Sequence, residues 1–293
     1  MSVSNQEIHI NIDAQQQDGL KMLAAASGLS LQALKKCMHK GAVWLTRGKQ
    51  TQRLRRAKKS YLVGDALHLY YNENVLNEIV PPAELLFDEG DYSLWYKPYG
   101  MRCQGSKWSD HTTINRFVEN QTTPSRPAYI VHRLDRAATG LIIIAHSKKM
   151  AAALAKLFAL RTLKKYYHVI VEGDIEKSPL FSPSLDASTA EKQLTINTPV
   201  DNKNAISHVE QLEYCQESDQ SLVKITIETG RKHQIRVHMA SIGHPVIGDR
   251  LHGNADINSI DLQLTSCFFE FICPISHQRT QFMLPERLRP SLK

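Results

Sequence analysis

"VHRLDRAATG", residues 131–140, sets one carboxylate, Asp135, between two guanidinium groups, Arg133 and Arg136, and runs directly into "LIIIA". The apolar, β-branched run reads as a buried strand. An acid therefore stands at the entrance to the core, beside cations that favour its ionised form. A surface loop needs no such arrangement, whereas a nucleophile with a depressed pKa does.

Working outward, "LLFDEGDYSLWYKP" suggests two strands around a turn at Glu89 and Gly90. "SKKMAAALAKLFALRTL" predicts a helix capped by Ser147, with Met150, Leu154, Leu157 and Phe158 on one face. "YYHVIVEG", "SLVKITIETG" and "SCFFEFICP" read as strands, and "QIRVHMASIG" as a helix ending at Gly243. Strands outnumber helices without alternating strictly with them. That pattern predicts an α+β fold with a mixed, mainly antiparallel sheet.

The first seventy residues differ in kind. "LKMLAAASGLSLQALKKCMHKG" reads as two short helices broken at Gly28, the second capped by Ser30 and ended by Gly41. "AVWLT" and "YLVGDALHLYY" read as strands around the basic loop "RGKQTQRLRRAKK". The polar stretch around Pro81 and Pro82 reads as a linker. The expected division is a small module over residues 1–75, a linker over 76–84, and a large domain over 85–293.

Charge is segregated accordingly. The chain of 293 residues carries a formal +7, yet no acid occurs between Asp18 and Asp65, where eleven Lys and Arg stand. Such a stretch points to a polyanionic partner such as nucleic acid. No apolar run is long enough to span a membrane, and the N-terminus lacks the apolar core of a secretory signal. The five cysteines are odd in number, widely spread and without a C-x-x-C pair, which predicts neither disulfides nor structural zinc and a cytoplasmic setting.

A second dense segment, "TGRKHQIRVHMASIGHPVIGDRLHG", holds His233, His238 and His244 within residues 229–253. Their spacing matches no zinc pattern, so they read mostly as structural histidines. The chain shows no phosphate-cradling P-loop and no G-x-S-x-G elbow.

Together these motifs resemble those of the RluA/RsuA-type RNA pseudouridine synthases. "HRLDRAATG" is similar to their catalytic motif, "YKPYG" to their K-P-x-G, "KKYYHVIVEG" to a characteristic strand, and the histidine-rich segment to a third long motif. The four stand in the family's order. The N-terminal module is similar to an S4-like RNA-binding domain. The resemblance implies a pseudouridine-synthase fold whose sheet is split by a basic cleft, and isomerisation of uridine in structured RNA, ribosomal or transfer, by a monomer without metal or cofactor. It implies that Asp135 is the catalytic carboxylate, that Arg236 pairs with it on the cleft floor, and that Tyr167 stacks on the target base. Tyr166, one residue away on a strand, faces the other side. Arg133 matches the arginine that enters the space left by a flipped nucleotide. Lys97, Arg231 and Lys232 are expected as phosphate contacts or local structure, and Arg53, Arg55, Arg56, Lys58 and Lys59 as contacts from the basic module.

The chain departs from the pattern at Ala138 and Thr139, before Gly140, and at His252, which stands in the place of a tyrosine. Two other readings compete: a catalytically degenerate RNA-binding or ribosome-assembly protein, which Asp135 argues against, and a nucleosidase on free nucleosides, which the basic module argues against.

Overall fold

The computed structural model describes residues 5–15, 17–57, 60–178 and 193–292. The chain divides into two compact units, residues 1–80 with 104–121, and residues 81–103 with 122–293. The division after Val80 falls inside the stretch expected as a linker. Residues 104–121, assigned from sequence to the large domain, group instead with the N-terminal unit. The reason is partly electrostatic: Asp110 takes the guanidinium groups of both Arg53 and Arg55.

In the N-terminal unit, strands β1 (Gln6–Asn11), β2 (Val43–Arg47), β3 (Gln50–Arg53) and β4 (Ala66–Tyr71) form an antiparallel sheet in the order β1-β4-β2-β3. Helices α1 (Gly19–Ser27) and α2 (Leu31–His39) accompany it. Gly28 ends α1 at φ +71°, and the Ser30 hydroxyl accepts from Ala33 N to begin α2, as the sequence predicts. Leu23, Leu34, Met38, Leu45, Leu67 and Leu69 close the core. Short helix α3 (Glu73–Leu76) follows β4, and α4 (Ile114–Gln121) belongs to the same unit.

The second unit is built on a mixed sheet. Its strands are β5 (Glu84–Asp88), β6 (Tyr92–Lys97), β7 (Tyr129–Ile130), β8 (Thr139–Ala145), β9 (Lys164–Glu172), β10 (Leu194–Ile196), β11 (Ser207–Cys215), β12 (Gln220–Ile227), β13 (Leu264–Ile272) and β14 (Arg279–Met283). The main path runs β10-β11-β12-β9-β13-β8-β6-β5, with β14 on β13 and β7 on β8. Among these strands all pairings are antiparallel except β13 with β8. That parallel join is two residue pairs long, Thr265 with Thr139 and Ser266 with Gly140. Beyond it β8 takes β7 as neighbour while β13 continues along β14. Helix α5 (Lys148–Leu160) begins at Ser147, whose hydroxyl accepts from Met150 N, and buries Met150 and Leu154 against β8, β13 and Phe282.

Gly140 permits the join. Its φ is +102°, and a Cβ there would lie 2.3 Å from Ser266 O. Only glycine lets two backbones meet this closely in that conformation. The sheet thus divides immediately after the loop that carries Asp135.

Candidate active site

The loop of residues 131–138 is anchored from both sides. His132 packs face to face on Phe158, with ring centroids 4.6 Å apart, and edge-on to Phe269. Its Nε2 accepts from Ile143 N at 3.0 Å, a strand amide lying between the β13 and β7 pairings. Removal from water lowers the His132 pKa to about 3, so the ring is neutral and its Nδ1 carries the proton. On the other side, the Cys103 thiol accepts from Leu134 N at 3.3 Å and donates to Leu134 O at 3.4 Å. Burial raises that thiol's pKa and keeps it protonated.

Of the two roles expected for Lys97, phosphate contact or local structure, the structure shows the second. It is fully buried, and its ammonium donates to the carbonyls of Pro98 at 3.1 Å, Met101 at 2.9 Å and Arg136 at 3.4 Å. Burial lowers its pKa to about 8. It cannot reach a phosphate; it ties the turn after β6 to the loop of Asp135. Gly100 N adds a bond to Arg136 O at 2.9 Å.

With the loop held, Asp135 keeps a quarter of its side-chain surface in solvent. Three groups face it. Arg236 Nη1 lies 3.5 Å from Asp135 Oδ2, and His233 Nε2 lies 3.8 Å from the same oxygen. Tyr167, on β9, is buried; burial raises its phenol pKa and the charge of Asp135 raises it further. Tyr166 faces the other way and stacks on Phe268, centroids 4.9 Å apart.

Arg236 and His233 belong to one local structure. Helix α6 (Gln234–Ser241) starts after His233, whose φ is +56°. Gln234 fixes that start: its oxygen accepts from Thr229 Oγ1 and Arg231 N, and its amide donates to Ile206 O and Ser207 Oγ. Arg236 is committed mainly to Asp249, through Nε at 2.8 Å and Nη2 at 2.6 Å. Asp249 also accepts from the backbone of Leu251 and His252. Burial opposes its ionisation, but those four donors hold its pKa at about 2. The His252 ring then meets His233, Nε2 to Nδ1 at 3.0 Å. Asp249 thus reaches Asp135 twice, through Arg236 and through the two histidines.

Among the remaining sequence candidates, Arg133 and Lys232 are exposed and free to approach an anion, whereas Arg231 is half-buried and donates to Asn204 O at 3.0 Å. Arg53 is half-buried against Asp110 and Ser106 O, its guanidinium 4.3 Å over the Trp44 ring. Arg55 donates to Asp110 and to His39 O. Both are structural cations rather than open contacts. Arg56 is exposed; Lys58 and Lys59 lie outside the described residues. His238 is buried between Ser207 Oγ and Thr198 O, and His244 bonds Glu172 O, as structural histidines do. Among the described residues no cluster of His, Cys, Asp and Glu has the makings of a metal site, and no helix is long and apolar enough to cross a membrane.

Asp249, noted in the dense segment, received no role from the sequence, and neither did Cys103, His132 or the contact of His233 with His252. Asp249 and His132 lie inside recognised motifs; what local spacing does not disclose is a partner across the fold.

Residues 91–241 match the family model for RNA pseudouridylate synthase. An uncharacterized RNA pseudouridine synthase of Helicobacter pylori is 30% identical over 224 residues, 71% of this chain and 74% of that protein. A ribosomal large subunit pseudouridine synthase D of Zymomonas mobilis is 29% identical over 219 residues, 69% of this chain and 68% of that one. Among solved structures, human RNA pseudouridylate synthase domain containing 1 matches the fold with a TM-score of 0.55 at 22% identity, over 72% of this chain and 86% of that one.

Proposed function

The chain belongs to the RNA pseudouridylate synthase family, and from that premise we propose that it converts particular uridines of a structured RNA to pseudouridine with Asp135 as the catalytic carboxylate. The observation that carries this reading is the placement of Asp135: part-exposed, 3.5 Å from a buried Arg236, with Tyr167 beside it, inside the matched region. The reaction breaks the bond from C1′ to N1, makes one from C1′ to C5, and removes the hydrogen of C5. An ionised carboxylate supplies what the sugar carbon and the base require, a nucleophile or a base. Arg236, 3.5 Å away, keeps it aimed.

The target must leave its stack before a side chain can reach C1′ and C5. In this reading the exposed Arg133 takes up the vacated space and the Tyr167 ring packs on the base. The N-terminal unit, read as S4-like, carries exposed Lys35, Lys36 and Arg56, which support RNA contact through phosphate. The name of the Zymomonas relative favours RNA of the large ribosomal subunit as the first target to examine. Five free cysteines are consistent with the cytoplasm as the working compartment.

The test is Asp135→Asn. Purified variant should release no hydrogen from C5 of uridine in RNA while binding that RNA with nearly wild-type affinity, because phosphate contacts supply most of the affinity. Turnover by Asp135→Asn would refute the assignment. A pseudouridine map of cellular RNA with and without the gene identifies the position modified.

A further inference from the structure

The isomerisation leaves a proton to be disposed of, and the site contains a route for it. Of the described groups facing Asp135, Arg236 is permanently protonated and cannot accept one. Tyr167 is held as a neutral phenol by burial and is a poor base. His233 remains, its Nε2 3.8 Å from Asp135 Oδ2 and its Nδ1 3.0 Å from Nε2 of His252. Burial holds the His233 pKa below the ordinary histidine value, against the pull of Asp135, and the cations Arg236 and Lys232 act in the same direction as burial. The imidazole is therefore neutral and able to accept at neutral pH. His252 is half-exposed, so the pair runs from the carboxylate toward solvent.

We propose that His233 and His252 form a proton relay behind Asp135, which carries away the hydrogen lost from C5; the proposal rests on the isomerase reading above. Once C1′ has joined C5, the C5–H bond breaks and the proton passes to the Asp135 carboxylate. The C–H electron pair forms the C5–C6 double bond, the C6–N1 π pair returns to N1, and N1 takes a proton from water. Asp135 then gives its proton to His233 Nε2. The Nδ1 proton of His233 moves to Nε2 of His252, and the Nδ1 proton of His252 leaves to water. Protons and electrons balance, and every group returns to its charge with the two imidazoles in their other tautomers; ring rotation or exchange with water resets them. The distance of 3.8 Å belongs to a substrate-free site, where such contacts are commonly long and tighten on binding.

A hydrogen bond between two imidazoles needs one ring to donate and the other to accept. A tyrosine at position 252, the residue implied by resemblance, could cap His233 but could not carry a proton onward with the same ease at neutral pH. The relay is thus a property of this chain's histidine at 252. His233 and His252 act through Asp135 and not on the substrate, so they are positioning and proton-handling residues.

The test is multiple-turnover conversion, in which Asp135 must lose its proton before each new cycle, of large-subunit ribosomal RNA transcribed with uridine or with 5-deuterouridine. His233→Asn suits it, because asparagine tolerates the positive φ of this position and does not titrate. His252→Phe provides a second variant that leaves the start of α6 intact. Both should slow conversion by roughly ten- to a hundredfold, within or just below the usual contribution of a proton-transfer group. Both should also show an isotope effect at C5 larger than that of wild type, and added imidazole should restore part of the rate. A merely structural role would slow the reaction without changing the isotope effect and without rescue, and that result overturns the relay. So does wild-type conversion by His233→Asn. If wild-type protein releases no C5 hydrogen from any uridine-containing RNA, the isomerase reading falls and the relay with it; release by wild type with both variants unaffected overturns the relay alone.

Discussion

Arg236 gives Nε and Nη2 to the two oxygens of Asp249, at 2.8 and 2.6 Å, and turns Nη1 toward Asp135 at 3.5 Å. The shorter, bidentate contact fixes the plane of the guanidinium. The longer one reaches Asp135, the carboxylate proposed above as catalytic. Asp249 is accordingly the anchor and Arg236 the arm.

Replacing Asp249 with alanine should destabilise the fold by about 3–5 kcal/mol, because it strands a buried guanidinium. Asp249→Asn should cost less stability and still lower kcat, since Arg236 loses its bidentate hold. The Asp249 carboxyl titrates at about 2 against an ordinary 3.8. Its contribution, about 2 kcal/mol, is present above pH 3.8 and disappears as pH falls through 2. Urea denaturation across that range, compared between wild type and Asp249→Asn, measures it.

His132 predicts a second acid sensitivity. Its pKa is lowered from 6.5 to about 3, so between those values the unfolded chain binds a proton that the folded chain refuses. Stability should fall with acid over this window, by at most about 1.4 kcal/mol per pH unit from this group. His132→Gln keeps an acceptor for Ile143 N but does not titrate. Its stability should lie below wild type at pH 7, and its profile should be flatter between pH 6 and 4. Equal slopes would show that His132 is not the source.

Gly140→Ala should be among the most damaging small changes in the second unit. The substitution meets a φ of +102° and a carbonyl 2.3 Å from the new methyl group. Relieving the overlap requires β8 and β13 to separate at their two-pair join. The expected loss is at least about 2 kcal/mol, read as a fall in the urea midpoint, with a loss of turnover because Asp135 lies in the adjoining loop.

The motif residues were legible because their chemistry is carried by residue type and order: Asp135, Arg236 and Tyr167 meet where the resemblance implies. The strand and helix of residues 139–160 were legible from periodicity and a serine cap. β1 was not read, although Ile8 and Ile10 alternate with Glu7 and His9 in a strand pattern and its odd and even positions differ in burial; its polar setting masked the signal. α4 was passed over because it is only eight residues long and buries only Ile114 and Val118. Lys97 was left between two roles, and Arg53 and Arg55 were read as open contacts, for one reason. A cation in a sequence looks the same whether it meets water, a carbonyl or Asp110, and only the fold decides. The contacts of His252 with His233 and of Asp249 with Arg236 likewise depend on how the chain turns between residues 236 and 249.

That distinction between free and committed cations leads to the last prediction. Of the eleven Lys and Arg between Asp18 and Asp65, Arg47 is paired with Asp65, Arg53 and Arg55 with Asp110, and Lys40 with Leu76 O. Lys35, Lys36 and Arg56 are exposed. Lys35 and Lys36 share the outer face of α2 with His39, whose carbonyl accepts from Arg55, so residue 56 follows close to the end of that helix. If these three make the phosphate contacts, Lys35→Gln/Lys36→Gln/Arg56→Gln should reduce the slope of log affinity against log salt by about 2 on single-stranded RNA, at roughly 0.7 per contact. Arg53→Gln should leave the slope unchanged and instead lower stability by roughly 1–3 kcal/mol, because it removes a donor from buried acceptors. The measurement is a salt titration of RNA affinity for wild type and both variants, with urea denaturation of each. At saturating RNA the triple variant should keep its single-turnover rate, since binding loss is separable from loss of transition-state stabilisation. A slope that moves with Arg53→Gln and not with the triple variant would reverse the assignment of free and committed cations.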